Sequence, residues 1–393
     1  RPMTPAARVA AAIDILDRYL SGEPAEKALT TWGRAIRFAG SKDRAAIRDH
    51  VFDAIRQRRS FEMRGGAGTG RGLMIGWART VGADVAELFS GKGYAPAPLT
   101  QAEAAYVPHL ADDWPRPVRY DYPDWLAADL EASLGDDLPT TMTAMQSRAD
   151  VHLRVNTLKA TRDTALAALA ADDIGAAPHP LAETALQVTE NARRVRSSRA
   201  FAGGLVELQD AASQAVVGLL GAGSGRALDF CAGGGGKPRG LAANGWAVTA
   251  HDAAPDRMKD IPARAARAGA DIKVTLGRDL ETTAPFDLVL VDAPCSGSGA
   301  WRRQPEARWA LTPDRLAKLN RLQDEILDRA TTHVAAEGRL AYATCSLLDR
   351  DNQNRLWAFL DRHNDWYAVC ERTCSPLDGG DGFYIAMLER HRM

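Results

Sequence analysis

The chain has 393 residues, 46% apolar and 25% charged, with a net charge of −1, the profile of an ordinary globular protein long enough for two or three domains. That composition excludes a disordered or fibrous chain, and no apolar run approaches the roughly 18 residues of a membrane span. The charge is uneven: residues 1–64 hold 13 Lys and Arg against 8 Asp and Glu, a basic start that suits phosphate binding and solvated helices alike.

Thr4 and Pro5 read as the cap and first turn of a helix with Val9, Ile13, Leu16 and Leu20 on one face. Leu29, Trp32 and Ile36 continue at helical spacing. Ser41 can cap a third helix, with Ile47, Val51 and Ile55 inward and Arg44, Arg48, Arg56 and Arg59 largely outward. A glycine-rich loop over 65–72 breaks the pattern, helical residues return over 73–88, and the proline-containing stretch 94–124 reads as periphery or connector. From Val151 the rhythm changes to strand 152–156, helix 161–171 and strand 186–188, a small α+β module. A helix over 211–220 leads into strand-like pieces at 227–230, 246–251, 272–276, 286–291, 339–343 and 383–388. Helical patterns alternate with them, most clearly over 313–335. That alternation predicts a parallel α/β sheet.

The loops after these strands carry the chemistry. The first is the glycine-rich turn Cys231, Ala232, Gly233, Gly234, Gly235, Gly236 and Lys237, where glycine lets backbone amides approach a ligand and the following helix start favours a carboxylate or phosphate. Such turns serve many ligands. Acids after three further strands, Asp252, Asp279 and Asp292, favour a ligand crevice over coincidental helix caps. Cys295 follows Asp292-Ala293-Pro294 and precedes Ser-Gly-Ser-Gly; Cys345 follows another strand before a polar helix near 349–354, whose N-terminus would favour a thiolate. A cysteine is usually a small hydrophobe in a core, and Cys370 and Cys374 are read that way. Trp301, Arg302, Arg303, Arg308 and Trp309 suit phosphate contact and base stacking. Five cysteines without zinc-ligand spacing argue against a metal site or a disulfide framework. With no secretory-type apolar core at Arg1-Pro2-Met3, the reducing cytoplasm is the expected location.

The run Asp292-Ala293-Pro294-Cys295-Ser296-Gly297, then Arg302-Arg303 with Pro305-Glu306 and Trp309, then Thr344-Cys345-Ser346, resembles the NOP/Sun family of RNA cytosine-5 methyltransferases. The layout is similar to its bacterial ribosomal RNA methyltransferase B (RsmB) branch. Leu153-Arg154-Val155-Asn156 and Gln209-Asp210 match family landmarks, so the resemblance runs from there to the C-terminus; the helical start is a looser match to a NusB-like domain. Two departures stand out. The family turn Cys-Ala-Ala-Pro-Gly-Gly-Lys-Thr is here 231–238 with Gly233-Gly234 in place of Ala-Pro and Pro238 in place of Thr, so the turn's proline is lost, and the family's usual Glu-Asn is here Asp351-Asn352.

The resemblance implies a Rossmann-like class I methyltransferase sheet, preceded by a small α+β module and an all-helical NusB-like N-terminal domain. The expected boundaries are 1–140 (helical, RNA-binding), 141–208 (RRM-like) and 209–393 (catalytic). It implies S-adenosylmethionine as cofactor: residues 231–237 at its methionine end, Asp252 at the ribose, Arg257 bracing, Asp279 at the adenine amino group, and Asp292 beside it. Cys345 would attack C6 of the cytosine, Cys295 would assist release, Asp292 would bind the base edge and Lys237 would support Asp292. The expected partner is RNA, 16S ribosomal RNA first, with no membrane or metal, acting as a monomer. The alternatives are a tRNA cytosine-5 methyltransferase and a non-catalytic RNA-binding assembly factor with a degenerate cofactor site.

Overall fold

The computed structural model describes residues 2–36, 39–283 and 285–392; Arg1, which opens the segment read for a secretory signal, lies outside them. The described chain divides into two compact units. One comprises Arg1–Glu131, Asp136–Arg148 and Trp301–Ala310; the other comprises Ala132–Gly135, Ala149–Ala300 and Leu311–Met393. No helix among the described residues is long and apolar enough to cross a membrane.

The first unit is helical. Thr4 caps the helix Pro5–Leu20 by accepting the Ala7 amide, and Pro5 supplies its fixed φ to the first turn. With Ala25–Ala35, Ser41–Arg56, Arg58–Gly65 and Gly70–Val81, it buries Val9, Ile15, Leu16, Ile47, Val51, Ile55, Phe61 and Leu73 in one core. Three expectations are corrected here. Gly40, not Ser41, takes the cap position, and no side chain caps that helix. Arg56 points inward, buried, with its Nε donating to the Arg302 carbonyl at 2.8 Å. The stretch 65–72 is only partly loop, because a helix ends at Gly65 and the next begins at Gly70. A Cβ on Gly76 would stand 2.0 Å from the Phe61 carbonyl oxygen, and one on Gly72 2.1 Å from that of Ala67. These glycines let two backbones touch, which composition cannot distinguish from loop flexibility.

The second unit holds two sheets. In the smaller, β1 (His152–Val155), β2 (Gly175–Pro178), β3 (Ala185–Glu190) and β4 (Val206–Leu208) lie in the order β2-β3-β1-β4, all antiparallel. The helix Arg162–Ala171 packs with this sheet around Leu153, Val155, Leu169, Leu186 and Val206. β2 and β4 are too short and too weakly patterned to be seen in the sequence.

The larger sheet has β5 (Arg226–Asp229), β6 (Ala247–Ala250), β7 (Ile272–Val274), β8 (Phe286–Asp292), β9 (Val334–Thr344), β10 (Trp366–Cys374) and β11 (Phe383–Arg390), in the order β10-β11-β9-β8-β5-β6-β7. β5 to β9 pair in parallel, whereas β11 runs antiparallel to both β9 and β10, so the sheet is mixed and not wholly parallel. β10 escapes sequence reading because it is an edge strand with mostly exposed side chains. The helix Pro313–Ala330 ends earlier than its apolar pattern suggests, and β9 takes up the chain from Val334. Along β8, Leu288 and Leu290 enter one core and Val289 and Val291 the other. A strand covered on both faces must read as continuous apolar sequence, which is why β8 was legible. Parallel pairing brings the carboxyl ends of β5, β6, β8 and β9 to one edge, where doubly wound sheets bind ligands.

Candidate active site

β8 and β9 are neighbours, with Asp292 opposite Ala343, so the loops leaving them run side by side. Cys295 and Cys345 meet there with their sulfurs 3.7 Å apart. Contact with Cys345 and burial both push the Cys295 thiol well up, holding it protonated. Lys237, from the first turn of the helix Gly236–Ala243, reaches Asp292 with Nζ to Oδ2 at 2.6 Å and lies 4.8 Å from the centre of the Phe383 ring. Burial alone would lower the lysine's pKa, but Asp292, helped by Asp229, outweighs it and raises it. Lys237 therefore remains an ammonium at neutral pH, and the Asp292 side chain it bridges is 27% exposed and so accessible to a ligand.

The glycine turn is anchored on the next strand. Gly233 and Gly235 adopt φ of +51° and +80°, and a Cβ on Gly235 would lie 2.9 Å from Ile261 Cγ1. Such angles favour glycine, and the close approach excludes a side chain at Gly235. The Gly233 amide donates to Asp252 Oδ2 at 2.9 Å, the Ala254 amide donates to Oδ1 at 2.9 Å, and Arg257 braces the same carboxylate at 3.1 Å. Amides at a helix start beside a held carboxylate suit a ligand bearing both a carboxylate and sugar hydroxyls. Asp279 is not drawn into this arrangement. It is exposed on the short helix Gly277–Leu280, 3.8 Å from Arg278.

Cys231 stands behind the turn, its thiol pushed up by burial and by Asp229, Asp292 and Asp252. Asp229 closes β5, and nothing in the sequence sets it apart from an ordinary strand end. It is fully buried; desolvation, reinforced by Asp292 and partly offset by Lys237, raises its pKa from 3.8 to about 8. Below pH 4 it is neutral folded and unfolded alike; from there to about pH 8 only the unfolded chain ionises, so stability falls as pH rises. Asp229→Asn keeps the acceptor for the Cys231 amide and removes that loss. At roughly 1.4 kcal/mol per pKa unit, the variant should be a few kcal/mol more stable than wild type at pH 8. Thermal melts should show the difference shrinking to a small remainder at pH 4.

Two further expectations change. The polar helix after Cys345 starts only at Gln353, so the side chains of Asp351 and Asn352, not helix amides, meet the Cys345 loop. The segment Trp301–Ala310 is structural within the helical unit. Trp301 and Arg308 are fully buried, Arg302 is buried, and Trp309 donates its indole N–H to the Ile55 carbonyl at 2.8 Å. Of the five residues considered for RNA contact, Arg303 alone is exposed. Cys374 is buried in a core, whereas Cys370 is exposed on β10.

Comparison with known proteins bears on this arrangement. Residues 221–389 match the family described as 16S rRNA methyltransferase RsmB/F, and residues 122–195 match the ferredoxin-like domain of RsmF/B-like methyltransferases. The ribosomal RNA small subunit methyltransferase B of Citrobacter koseri is 32% identical over 315 residues, covering 76% of this chain and 73% of that protein. Among solved structures, PH0851 superposes over 99% of both chains with a TM-score of 0.77 at 21% identity. A methyltransferase homolog from Pyrococcus horikoshii covers 70% of this chain and 97% of its own, with a TM-score of 0.61 at 23% identity. At those identities, the two structures show a shared fold.

Proposed function

Because this chain belongs to the 16S rRNA methyltransferase RsmB/F family, we propose that it methylates C5 of a cytosine in small-subunit ribosomal RNA, using S-adenosylmethionine. The observation that supports this reading most is the pair of sulfurs 3.7 Å apart beside the Lys237–Asp292 bridge. C5 of cytosine is a weak nucleophile. Addition of the Cys345 thiolate to C6 turns the ring into an enamine whose C5 can accept a methyl cation. When bound, S-adenosylmethionine supplies that methyl from its sulfonium. Transfer of the C5 proton to water and expulsion of the Cys345 sulfur as a thiolate then restore the aromatic ring, with the protonated Cys295 thiol hydrogen-bonding the departing sulfur and so assisting release. Asp292, fixed by Lys237, hydrogen-bonds the base edge. Residues 231–237 and Asp252, braced by Arg257, hold the cofactor's methionine end and ribose; Asp279 remains the candidate for the adenine amino group. A base reached this way has left its stack, so the site acts on single-stranded or remodelled RNA. In this reading the helical N-terminal region, 1–140, carries RNA-binding, 141–208 is the small module and 209–393 the catalytic part.

Incubation with methyl-tritiated S-adenosylmethionine and small-subunit ribosomal RNA, followed by digestion to nucleosides, should place the label in 5-methylcytidine. Bisulfite sequencing of RNA from a deletion strain should show one protected cytosine lost. Label in a different nucleoside would refute the proposed chemistry, and absence of calorimetric heat with S-adenosylmethionine would refute catalysis altogether.

A further inference from the structure

The reaction above gives no role to Asp351, a fully buried carboxylate. Its Oδ2 accepts from the Ser346 hydroxyl at 2.6 Å and from the Ser296 amide at 3.2 Å. These are the residues immediately after Cys345 and Cys295, so one oxygen ties both cysteine loops together. Its Oδ1 accepts from Asn320 Nδ2 at 3.0 Å and Gln323 Nε2 at 2.9 Å, both on the long helix Pro313–Ala330. Gln323 also donates to the carbonyl of Pro294, the residue before Cys295, at 2.9 Å. Around this hub, Ser296 and Ser346 hydroxyls lie 3.0 Å apart, and Ser298 stands 3.0 and 3.1 Å from them while accepting the Leu347 amide at 2.8 Å. The Gly299 amide closes the arrangement on the Cys345 carbonyl at 2.9 Å.

We infer that Asp351 is a positioning residue for the two thiols: its carboxylate locks the Cys295 loop, the Cys345 loop and the helix beneath them into one register. The inference rests on the two-thiol reading proposed above. Four donors converge on two oxygens, which an ionised carboxylate satisfies because it only accepts. Asparagine at the same place would turn an NH₂ group toward donors and free one loop from the helix. Glutamate keeps the acceptor-only head and adds one methylene. The bland reading is a buried polar cluster that contributes stability alone. It differs in its consequence: a stability cluster, once the chain is folded, does not set the rate of C6 attack.

The full chain is tested with S-adenosylmethionine and small-subunit ribosomal RNA in the Cys295→Ala background, where the covalent RNA adduct accumulates as a slow band on a denaturing gel. Adding Asp351→Asn should slow adduct formation about 100-fold, the scale of an ångström misplacement of a reacting group. Cofactor binding by calorimetry should stay unchanged. Asp351→Glu should recover the rate to within about tenfold of the Cys295→Ala parent, a rescue that stability alone does not predict. Ser346→Ala, which cuts one strut and leaves the hub, should slow the adduct roughly tenfold and decides the matter if Asp351→Asn does not fold. Adduct formation at the parental rate in Asp351→Asn, or in Ser346→Ala where the former is unfolded, overturns the inference and leaves the two-thiol reading standing. No adduct in Cys295→Ala itself brings down both.

Discussion

Cys345→Ala should lower methyl transfer by at least about 10³-fold, and Cys295→Ala should convert the enzyme into one that holds its RNA covalently. In the reaction proposed above, the asymmetry follows from the order of bond making, and each of its steps belongs to that proposal. Without the Cys345 sulfur, C6 has no nucleophile and C5 never gains electron density, so no intermediate forms. Without the Cys295 sulfur, attack and methylation proceed, and the fault appears only when the Cys345–C6 bond must break. Both side chains flank the same crevice, and neither lies among the glycine-turn contacts to Asp252. Cofactor affinity should therefore change little in either variant. Single-turnover methylation, denaturing gels and calorimetry measure the three quantities separately. If both variants methylate at the wild-type rate, the two-thiol assignment is wrong.

Arg308→Leu should cost the helical unit about 3–5 kcal/mol, the scale for breaking a buried, hydrogen-bonded charged group. Arg308 is fully buried and donates to the carbonyls of Arg56 at 3.1 Å, Asp121 at 2.7 Å and Met145 at 2.9 Å. Its guanidinium lies 5.2 Å from the Trp301 ring centre, and burial lowers its pKa to about 10, with Asp121 opposing the shift. Leucine would leave three buried carbonyls without a donor, and lysine, with one short-range ammonium, could not span them. The expectation drawn from sequence, a phosphate-binding arginine, predicts the opposite pattern: stability intact, and the salt dependence of RNA binding reduced by about one charge. Thermal melts and RNA titrations at several salt concentrations distinguish the two. A variant that melts like wild type would return Arg308 to the RNA-contact role.

How far each feature could be read without coordinates depends on the range of the force that creates it. Thr4 and Pro5 at the first helix, the apolar run of β8 and the glycine turn after β5 are local signals, written within a few consecutive residues. Because parallel strands deliver their following loops to one edge, those signals also located Cys231, Cys295 and Cys345 at a common crevice. β10 was lost for a related reason: its side chains are largely exposed, so no apolar periodicity marks it. The roles of charged residues were the least legible. Arg56 and Arg308 look like surface arginines in the chain, and Asp229 and Asp351 like a strand end and a helix start.

Residue order alone settled the fold class and put three thiols and three acids after strands, since backbone periodicity and turn chemistry act over a handful of neighbours. Folding assigned each charge its work. Asp351 draws three of its four side-chain partners from positions 28 to 55 residues away, Arg308 from positions up to 252 away, and the elevated pKa of Asp229 comes chiefly from burial. Desolvation and hydrogen-bond satisfaction depend on what surrounds a group in space, and distant segments acquire that shared surrounding only when the chain packs.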